Sequence, residues 1–432
     1  MIIKTVIRPK TEMKDSGIEW IGDIPANWRK SKLKYLGVYI NGYAFKPSDW
    51  SARGRQIIRI QDLTGSNSGE PNYFNGTLDE KYRVVNGDIL VSWAATLDAF
   101  IWTKEDGWLN QHIFKAVPNE KIVKGYFLWL LKIAMDNMNN DDKHGIVMQH
   151  VTIGLFNNYV VPLAPYTEQQ AIANYLDETC FKIDEIIAEA KASIDEYKEL
   201  KQSVIFEAVT KGLDKNVNVY KTGNSWIPSL PVGIKLSRFG LHHDIILGKM
   251  LCPNPRNEED TLEPYYCAAN VHFDGVTGVL KTMWFNSKEK ETYVVHKNDM
   301  LIVEGGAGAG GAAIMNEEPP VSTFVQNSIM IVRSHMKDNR YSCYLVQALV
   351  KNKYVDVVCN KATIPHFTKE KVSYMPYPVF NRNERNEIAN YLDERCKQID
   401  SLIAEKESLI HDLEAYKKSL IYEVVTGKRR VV

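Results

Sequence analysis

The chain has 432 residues, a hydrophobic content of 44% and equal numbers of basic and acidic side chains, 53 of each. This length predicts about two to four domains. No apolar run approaches the ~20 residues that a bilayer requires, which excludes a membrane-spanning class. The first ten residues lack the apolar core of a secretory signal, so we expect a cytoplasmic protein.

The zero net charge hides a separation of charge along the chain. Residues 168–211 carry ten acidic and five basic side chains, and residues 384–428 carry ten and seven. These segments sum to −5 and −3, so the rest of the chain carries +8. Such a split fits globular parts that touch phosphate and helices that face other proteins, although solvated helix faces alone would also be acidic.

Two globular segments have the same mixed composition of predicted strands and helices. Short β-branched and aromatic runs bounded by Gly, Asn, Asp or Pro predict strands, and longer apolar-periodic runs predict one helix per segment. The sequence therefore predicts an α+β fold for each segment. The strands are expected at residues 56–60, 88–92, 114–117, 300–303 and 329–333, and the helices at 125–138 and 341–353.

Each globular segment is followed by a long predicted helix. Residues 168–211 contain neither Gly nor Pro, and their apolar residues form two series with a spacing of seven, one through Leu176 and Ile183 and one through Cys180 and Ile187. The second helix repeats both series 216 positions later, from Leu392 and Cys396, although lysines interrupt each copy. Such a narrow apolar stripe requires a partner helix.

The repeat extends beyond the helices, and its shift grows from 206 to 216 positions, as loop insertions would cause. The sequence therefore predicts the order globular unit, helix, globular unit, helix. The matched segments are 20–25 with 226–231, Gly42 with Gly248, 59–63 with 267–271, 87–91 with 298–302, Gln111 with Gln326, His150 with His366 and Pro162 with Pro378.

The two long helices are expected to pair with each other. A compact domain keeps its ends close together, so the second globular unit should release the second helix near the end of the first. The second helix would then run back along the first, as an antiparallel coiled coil with a pseudo-two-fold axis. Cys180 and Cys396 would lie at opposite ends of it, so we expect no disulfide between them.

No pattern in the sequence predicts catalysis or a metal site. The Gly306–Gly311 run satisfies G-x-G-x-x-G, but too few residues follow it before Pro319 to open the required helix, so we expect a loop. A P-loop, a zinc-ligand spacing and the Asn/Asp-Pro-Pro-aromatic motif of amino-methyltransferases are absent. The histidine pairs 242/243 and 144/150 have no catalytic or metal-binding spacing and are expected to be structural or on the surface.

Polar and basic side chains in the predicted loops are candidates for contacts with DNA. Arg, Lys, Asn and Gln read base edges by paired hydrogen bonds, and Lys and Arg also bind phosphates. Candidates recur in both globular segments, which favours a common role. In the first they are Lys46, Arg53, Arg55, Arg59, Ser92, Trp93, Lys104, Gln111, His144, Gln149 and His150, and in the second Lys249, Arg256, Asn257, Asn270, Gln326, Lys361, Thr363 and His366.

Together these motifs resemble the specificity subunit of a Type I restriction–modification system. The resemblance rests on the opening at 20–25, the strands at 87–91 and 298–302, the Glu-Gln-Gln of residues 168–170, and the duplicated Ile-Ala-Asn-Tyr-Leu-Asp helix. It covers nearly the whole chain, and the order of the motifs is more specific than any one of them. The second copy departs from the pattern, since Glu-Arg-Asn stands at residues 384–386.

The resemblance implies a non-catalytic subunit that reads a bipartite, asymmetric DNA target. It would bind double-stranded DNA, two methyltransferase subunits and, through them, restriction and motor subunits, which would carry S-adenosylmethionine, ATP and Mg²⁺; the chain itself would bind no cofactor, no metal and no membrane. The alternative is a stand-alone architectural or regulatory DNA-binding protein. The predicted division is 1–166 for target-recognition domain 1, 167–212 for spacer helix 1, 213–382 for target-recognition domain 2 and 383–428 for spacer helix 2.

Overall fold

The computed structural model describes residues 5–66, 70–139, 151–359 and 365–431. The chain divides into two compact units: unit 1 comprises residues 1–191 and 408–432, and unit 2 comprises residues 192–407. Both long helices cross this boundary, so each unit contains part of each helix. The four-part division predicted from the sequence separates the helices from the globular parts and stays a prediction.

Unit 1 contains strands β1 to β13, strand β27 (Arg429–Val431), which pairs with β1, three short helices and one end of each long helix. Its main sheet is antiparallel, in the order β10-β9-β12-β5, and a second sheet has the order β7-β6-β11-β8. The elements are β1 (Thr5–Ile7), β2 (Met13–Asp15), β3 (Asp23–Pro25), β4 (Arg29–Lys32), β5 (Gly37–Asn41), β6 (Arg55–Ile58), α1 (Ile60–Thr64), β7 (Tyr73–Phe74), β8 (Arg83–Val84), β9 (Ile89–Ser92), β10 (Asp98–Ile101), β11 (Gly107–Leu109), β12 (Ile113–Pro118), α2 (Lys124–Asn139), α3 (Ile153–Asn158), β13 (Val160–Leu163) and α4 (Tyr166–Lys211).

Unit 2 repeats this arrangement. Its main sheet has the order β17-β25-β22-β23, in which these strands take the places of β5, β12, β9 and β10 of unit 1. In a second sheet, β18 lies between β21 and β24. The remaining elements are β14 (Val219–Lys221), β15 (Ser229–Pro231), β16 (Lys235–Arg238), β17 (His243–Leu247), β18 (Thr261–Tyr266), β19 (Val271–His272), β20 (Gly275–Val276), β21 (Lys281–Phe285), α5 (Ser287–Tyr293), β22 (Met300–Val303), β23 (Ala312–Ile314), β24 (Phe324–Val325), β25 (Ile329–Ser334), α6 (Arg340–Lys351), α7 (Tyr354–Val358), α8 (Lys369–Ser373), β26 (Pro376–Val379), α9 (Arg382–Val425) and β27 (Arg429–Val431).

The main core of each unit contains residues from both long helices. In unit 1, Leu176 and Ile183 of α4 are buried in one cluster with Leu420 and Val424 of α9. In unit 2, Ile205 and Ala208 of α4 share a cluster with Ile388 and Leu392 of α9. The residues spaced by seven in the sequence are therefore the ones that face the core, as the apolar stripe predicts.

Equivalent hydrogen bonds dock a short helix of each unit against a long helix. Trp129 of α2 donates its indole N–H to Asp177 of α4 at 2.7 Å. Tyr344 of α6 donates its hydroxyl to Asp393 of α9 at 2.8 Å. Asp177 and Asp393 are the same position of the repeat, 216 residues apart. The Asp of the Tyr-Leu-Asp motif thus fixes the first part of α4 within unit 1 and the first part of α9 within unit 2.

Three predictions about single segments can be compared with the fold. The strand predicted at 56–60 ends at Ile58, because the Asp62 carboxylate accepts a hydrogen bond from the Arg59 N–H and starts helix α1 instead. The Gly306–Gly311 run is followed by strand β23 rather than by a helix, which excludes the dinucleotide-binding turn. All six cysteines are free thiols, as expected. No helix in the described ranges is long and apolar enough to cross a bilayer.

Replacing Leu176 by Ala should destabilise unit 1 by about 2–5 kcal/mol, because the side chain is fully buried and leaves a cavity. Leu409→Ala, at a position that is 39% exposed on the other helix of unit 1, is the matched control and should change the free energy of unfolding by less than about 0.5 kcal/mol. Tryptophan fluorescence during denaturant unfolding reports this unit, since seven of the nine tryptophans precede residue 130. Equal effects of the two substitutions would contradict the assigned packing.

Candidate nucleic-acid interface

Four segments of unit 1 converge where the main and second sheets meet. They are residues 42–43 after β5, Trp93 after β9, residues 110–112 between β11 and β12, and Val151 before α3; we call this set junction 1. Backbone hydrogen bonds hold the segments together, so that side chains from distant parts of the sequence share one site. The bonds are Gly42 N–H to Ile113 O, Tyr43 N–H to Leu109 O, Gln111 N–H to Tyr43 O, Trp93 N–H to His112 O and Val151 N–H to Trp93 O, at 2.8–3.2 Å.

Unit 2 has the same five backbone hydrogen bonds at equivalent positions. They join residues 248–249, Glu304, residues 326–328 and residues 366–367, which we call junction 2. The repeated sequence therefore builds the same loop junction twice. The bonds are Gly248 N–H to Ile329 O, Lys249 N–H to Val325 O, Asn327 N–H to Lys249 O, Glu304 N–H to Ser328 O and Phe367 N–H to Glu304 O, at 2.6–3.0 Å.

Glycine is required where the two segments of each junction cross. A Cβ on Gly42 would lie 1.9 Å from the backbone oxygen of Asn110, and a Cβ on Gly248 would lie 2.3 Å from that of Gln326. No side chain fits at such distances. The match of Gly42 with Gly248 in the sequence therefore reflects a close backbone approach.

The register of the repeat differs by one residue from the sequence alignment at this point. Isolated parallel bridges pair Tyr43 with Asn110 and Lys249 with Gln326. Asn110, and not Gln111, is thus the counterpart of Gln326, and Gln111 corresponds to Asn327. The alignment was wrong here because the two segments share too few residue types to fix the register.

A short turn lies beside each junction because two strands run parallel. β11 pairs with β6 in unit 1, and β24 pairs with β18 in unit 2, so that Arg59 and Cys267 follow strands that end next to the junctions. Asp62 caps the first turn, and the Asn270 side chain caps the second by accepting from the Cys267 N–H at 3.0 Å. Asn270 is buried, so its position indicates a structural role in the free chain.

Junction 1 presents aromatic rings and unpaired donors. The rings of Trp93 and His112 lie 4.9 Å apart, and Trp93 also stacks on Phe114. His112 is exposed and has a left-handed backbone with φ 74°, an uncommon conformation that often marks functional sites. The Trp93 Nε1 and Arg59 Nε atoms are buried and have no acceptor within the described part of the chain. His112 was not among the residues predicted from the sequence, because no local pattern marks it.

Arginine and lysine side chains of unit 1 lie over tryptophan rings close to junction 1. The Arg55 guanidinium lies 4.5 Å from the centre of Trp108, and the Arg59 guanidinium lies 5.9 Å from that of Trp50. Lys104 lies 5.5 Å from the Trp102 ring and donates to the Asp62 carbonyl. Stacking of this kind holds a cation in place without neutralising its charge.

Lys46 and Arg53 are exposed and make no ion pair with any residue of the described ranges.

The corresponding cations of unit 2 are neutralised. Lys249 is only 4% exposed and forms an ion pair with Glu289, and Arg256 contacts the same carboxylate at 3.4 Å. Burial alone would raise the pKa of Glu289, but hydrogen bonds from Lys249 and Asn286 outweigh it and leave that pKa below its ordinary value. Lys249 therefore has a structural position in the free chain, although the sequence analysis proposed it for DNA contact.

The remaining predicted residues fall into three groups. The Ser92 side chain is buried and donates to the Ala94 carbonyl, which is again a structural position. Gln111 and Gln326 are partly exposed at the junctions, and Asn257 and His366 are exposed. Five residues lie outside the described ranges, so their predicted DNA contacts stay predictions: His144, Gln149, His150, Lys361 and Thr363.

The buried His243 of unit 2 has a structural position. His243 is buried, donates from Nδ1 to the Phe239 carbonyl and accepts at Nε2 from the Ser342 hydroxyl, and burial lowers its pKa to about 4. Across the described ranges, no group of three His, Cys, Asp or Glu side chains is arranged to hold a metal ion. The sites that stand out in both units are the loop junctions.

Gly248→Ala should open junction 2, because the added methyl group meets a backbone oxygen that cannot move without breaking the crossing. We expect a loss of about 1–3 kcal/mol in stability and faster amide hydrogen exchange in peptides covering 243–251 and 324–330. Gly308→Ala is the control, since its nearest neighbour, the Val303 Cγ1 atom, would lie 3.9 Å away. Unchanged exchange in Gly248→Ala would show that the crossing is not needed.

Comparisons with known proteins agree on one family. The family model described as Type I restriction modification DNA specificity domain matches residues 25–196. The specificity subunit of the Type I restriction enzyme EcoBI from Escherichia coli is 28% identical over 207 residues, which are 47% of this chain and 43% of that protein. The match thus spans less than half of the length of that relative. The MjaVIII specificity subunit from Methanocaldococcus jannaschii is 23% identical over 368 residues, 82% of each chain.

Solved structures show that the fold is shared over nearly the whole chain. A chain from a study of complex assembly and conformational transition of the Type I R-M system superposes with a TM-score of 0.68 at 15% identity, covering 94% of this chain and 99% of that one. The HsdS subunit from Thermoanaerobacter tengcongensis gives a TM-score of 0.51 at 16% identity, covering 94% and 98%. Residues 25–196 thus match the Type I restriction modification DNA specificity domain, and the chain is similar over most of its length to Type I restriction enzyme specificity subunits.

Proposed function

We propose that this chain is the DNA target-recognition subunit of a Type I restriction–modification complex, in which each unit reads one half of a bipartite target. The observation that carries the proposal is the duplicated junction. The same backbone crossing presents different side chains at equivalent positions of the two units, namely Trp93 against Glu304 and His112 against Ser328. Different side chains on one scaffold favour two half-sites of different sequence.

The long helices are proposed to pair as an antiparallel coiled coil that separates the two readers. Two ion pairs support this arrangement, Asp184 with Lys417 in unit 1 and Asp400 with Lys201 in unit 2. Each residue of the first pair lies 216 positions from its counterpart in the second, since 400 − 184 and 417 − 201 both equal 216. If α4 and α9 are exchanged, the ion pair of unit 1 therefore falls on the ion pair of unit 2. A pseudo-two-fold axis between the two helices requires this correspondence. Lys201 and Lys417, which interrupt the apolar stripe, are thus used for pairing.

The direction of pairing is supported inside unit 2 alone. Gly212, just after the end of α4, packs against the ring of Phe380, just before the start of α9. Lys201 lies eleven residues before Gly212 and pairs with Asp400, which lies twenty residues after Phe380. Moving backward along α4 therefore corresponds to moving forward along α9, which is the antiparallel sense.

Two methyltransferase subunits are the proposed partners of the helices, with restriction and motor subunits joining through them. Large apolar side chains are exposed on the helices, and some of them recur at equivalent positions. Ile186 is 45% exposed and Leu402, 216 residues later, is 39% exposed; Tyr391 and Tyr416 are exposed as well. Apolar side chains on an otherwise acidic helix favour contact with another protein. In this proposal the partners carry S-adenosylmethionine, ATP and Mg²⁺, and this chain contributes no catalytic group.

Co-expression with the methyltransferase encoded beside it tests the function. We expect the two proteins to purify together, with two methyltransferase subunits for each copy of this chain. Sequencing of methylated bases in the expressing cells should then show one bipartite, asymmetric motif that disappears when this chain is omitted. Specific DNA binding by the chain alone, without an associated methyltransferase and without any change in methylation, would instead establish the stand-alone DNA-binding alternative.

The two units should differ in the salt dependence of DNA binding. Residues 43–60 of unit 1 contain four basic and one acidic side chain, whereas the equivalent residues 249–268 of unit 2 contain two basic and four acidic ones. We expect Arg53→Gln to reduce the slope of log Kd against log salt concentration by about 0.9, the value for one lost phosphate contact. Arg256→Gln should change the slope by less than about half of that, because Arg256 is already paired with Glu289. Fluorescence anisotropy of the methyltransferase complex on labelled target DNA measures both, and equal slopes for both variants would contradict the assignment.

A further inference from the structure

Glu304 and His366 form a hydrogen-bonded pair at the centre of junction 2. The His366 Nδ1 atom lies 3.2 Å from Glu304 Oε1 and 3.1 Å from Oε2. The Glu304 side chain is 17% exposed, whereas the His366 side chain is 60% exposed. The carboxylate therefore lies beneath the imidazole ring, and the ring is the part of the pair that solvent or a ligand can reach.

The backbone of both residues is fixed by the junction. Glu304 donates its N–H to the Ser328 carbonyl at 2.8 Å and accepts from the Phe367 N–H at 2.6 Å. An antiparallel bridge joins Gly305 to His366, and a Cβ on Gly305 would lie 3.1 Å from the His366 Nδ1 atom. Gly305, the residue just before the Gly306–Gly311 run, thus lets the imidazole lie directly against the chain.

The carboxylate determines which nitrogen of His366 carries a proton. A carboxylate accepts hydrogen bonds, so the proton of a neutral imidazole is held on Nδ1, and Nε2 becomes an acceptor. No hydrogen bond to Nε2 is made by any residue of the described ranges. A fixed ring with one free acceptor is suited to an amino group, and in the DNA major groove adenine N6 and cytosine N4 present such donors.

We infer that His366 is a base-reading residue of unit 2 and that Glu304 is its positioning residue, with Nε2 accepting a hydrogen bond from the amino group of an adenine or a cytosine. The inference rests on the proposed function. Junction 1 differs from junction 2 in this respect, because Trp93 occupies the position of Glu304 there. A tryptophan has no carboxylate that could orient a histidine.

Two other histidine–carboxylate pairs of unit 2 lack these features. Glu318 pairs with His296 at 2.9 Å, and Asp244 pairs with His335 at 3.3 Å. Their carboxylates are 59% and 73% exposed, in contrast to that of Glu304. Both pairs lie outside junction 2. They provide matched controls, since removing either one breaks the same type of contact without touching the proposed reading point.

A double-mutant cycle tests the inference on the complex of this chain with its methyltransferase. The substrates are duplexes that carry each of the four bases in turn at every position of the target. Glu304→Ala and His366→Ala should each relax the preference at one and the same position, by about 5- to 150-fold. The double variant should show no further loss, because Glu304 acts through His366. The preference at the other half-site should not change, and Glu318→Ala should behave like the wild type.

Glu304→Gln separates positioning from a merely structural effect. Its amide oxygen can still accept from Nδ1–H, so it should recover most of the discrimination that Glu304→Ala loses. The inference is overturned if the losses are additive, if Glu304→Ala lowers only thermal stability or affinity for all sequences alike, or if the relaxed position prefers guanine or thymine in the wild type. A wild-type complex without sequence preference at either half-site would overturn the proposed function instead.

Discussion

Each unit closes only when segments from distant parts of the sequence pack against one another. In unit 1 the start of α4 and the end of α9 share a core with the sheet, and Leu176 and Leu420 belong to one buried cluster. In unit 2 the same helices contribute their other ends, with Ile205 and Leu392 in one cluster. Because both helices are continuous across the two units, each is stabilised at both ends by packing against a sheet.

The duplication preserves backbone geometry and changes side chains. The five hydrogen bonds of each junction recur, as do the glycine crossing and the aspartate that docks each long helix. The side chains presented there differ, with aromatic and cationic groups in unit 1 and a histidine–carboxylate pair in unit 2. Hydrogen bonds between backbone groups do not depend on side-chain identity, so a conserved crossing tolerates this divergence. A scaffold of this kind can change the side chains at its junction without refolding.

Basic side chains have different partners in the two units. In unit 1, cations over tryptophan rings stay charged and reachable, whereas in unit 2 one glutamate neutralises two cations near the corresponding strands. The first arrangement favours attraction to phosphate, which is strong, non-specific and reduced by salt. The second favours recognition through a few oriented hydrogen bonds. The proposed reading of an asymmetric target is consistent with this difference.

The sequence by itself determined the long helices, the apolar stripe, the two central strands of each main sheet and the order of the repeat. These features depend on local periodicity, on the absence of Gly and Pro, and on similarity between two parts of one chain. Arg59, Trp93, Gln111, Gln326 and His366, which were predicted to contact DNA, lie at or beside the junctions, because loop residues after buried strands gather at one edge of a sheet; their contacts with DNA stay predictions.

Only the tertiary structure decided which of these side chains face outward and which neighbours they have. Lys249 is buried by Glu289, forty residues later, and Glu304 meets His366 across 62 residues. The one-residue error between Gln111 and Asn110 has the same origin. Strand register and loop path bring such residues together, and they depend on packing across the whole unit rather than on the propensity of any short segment.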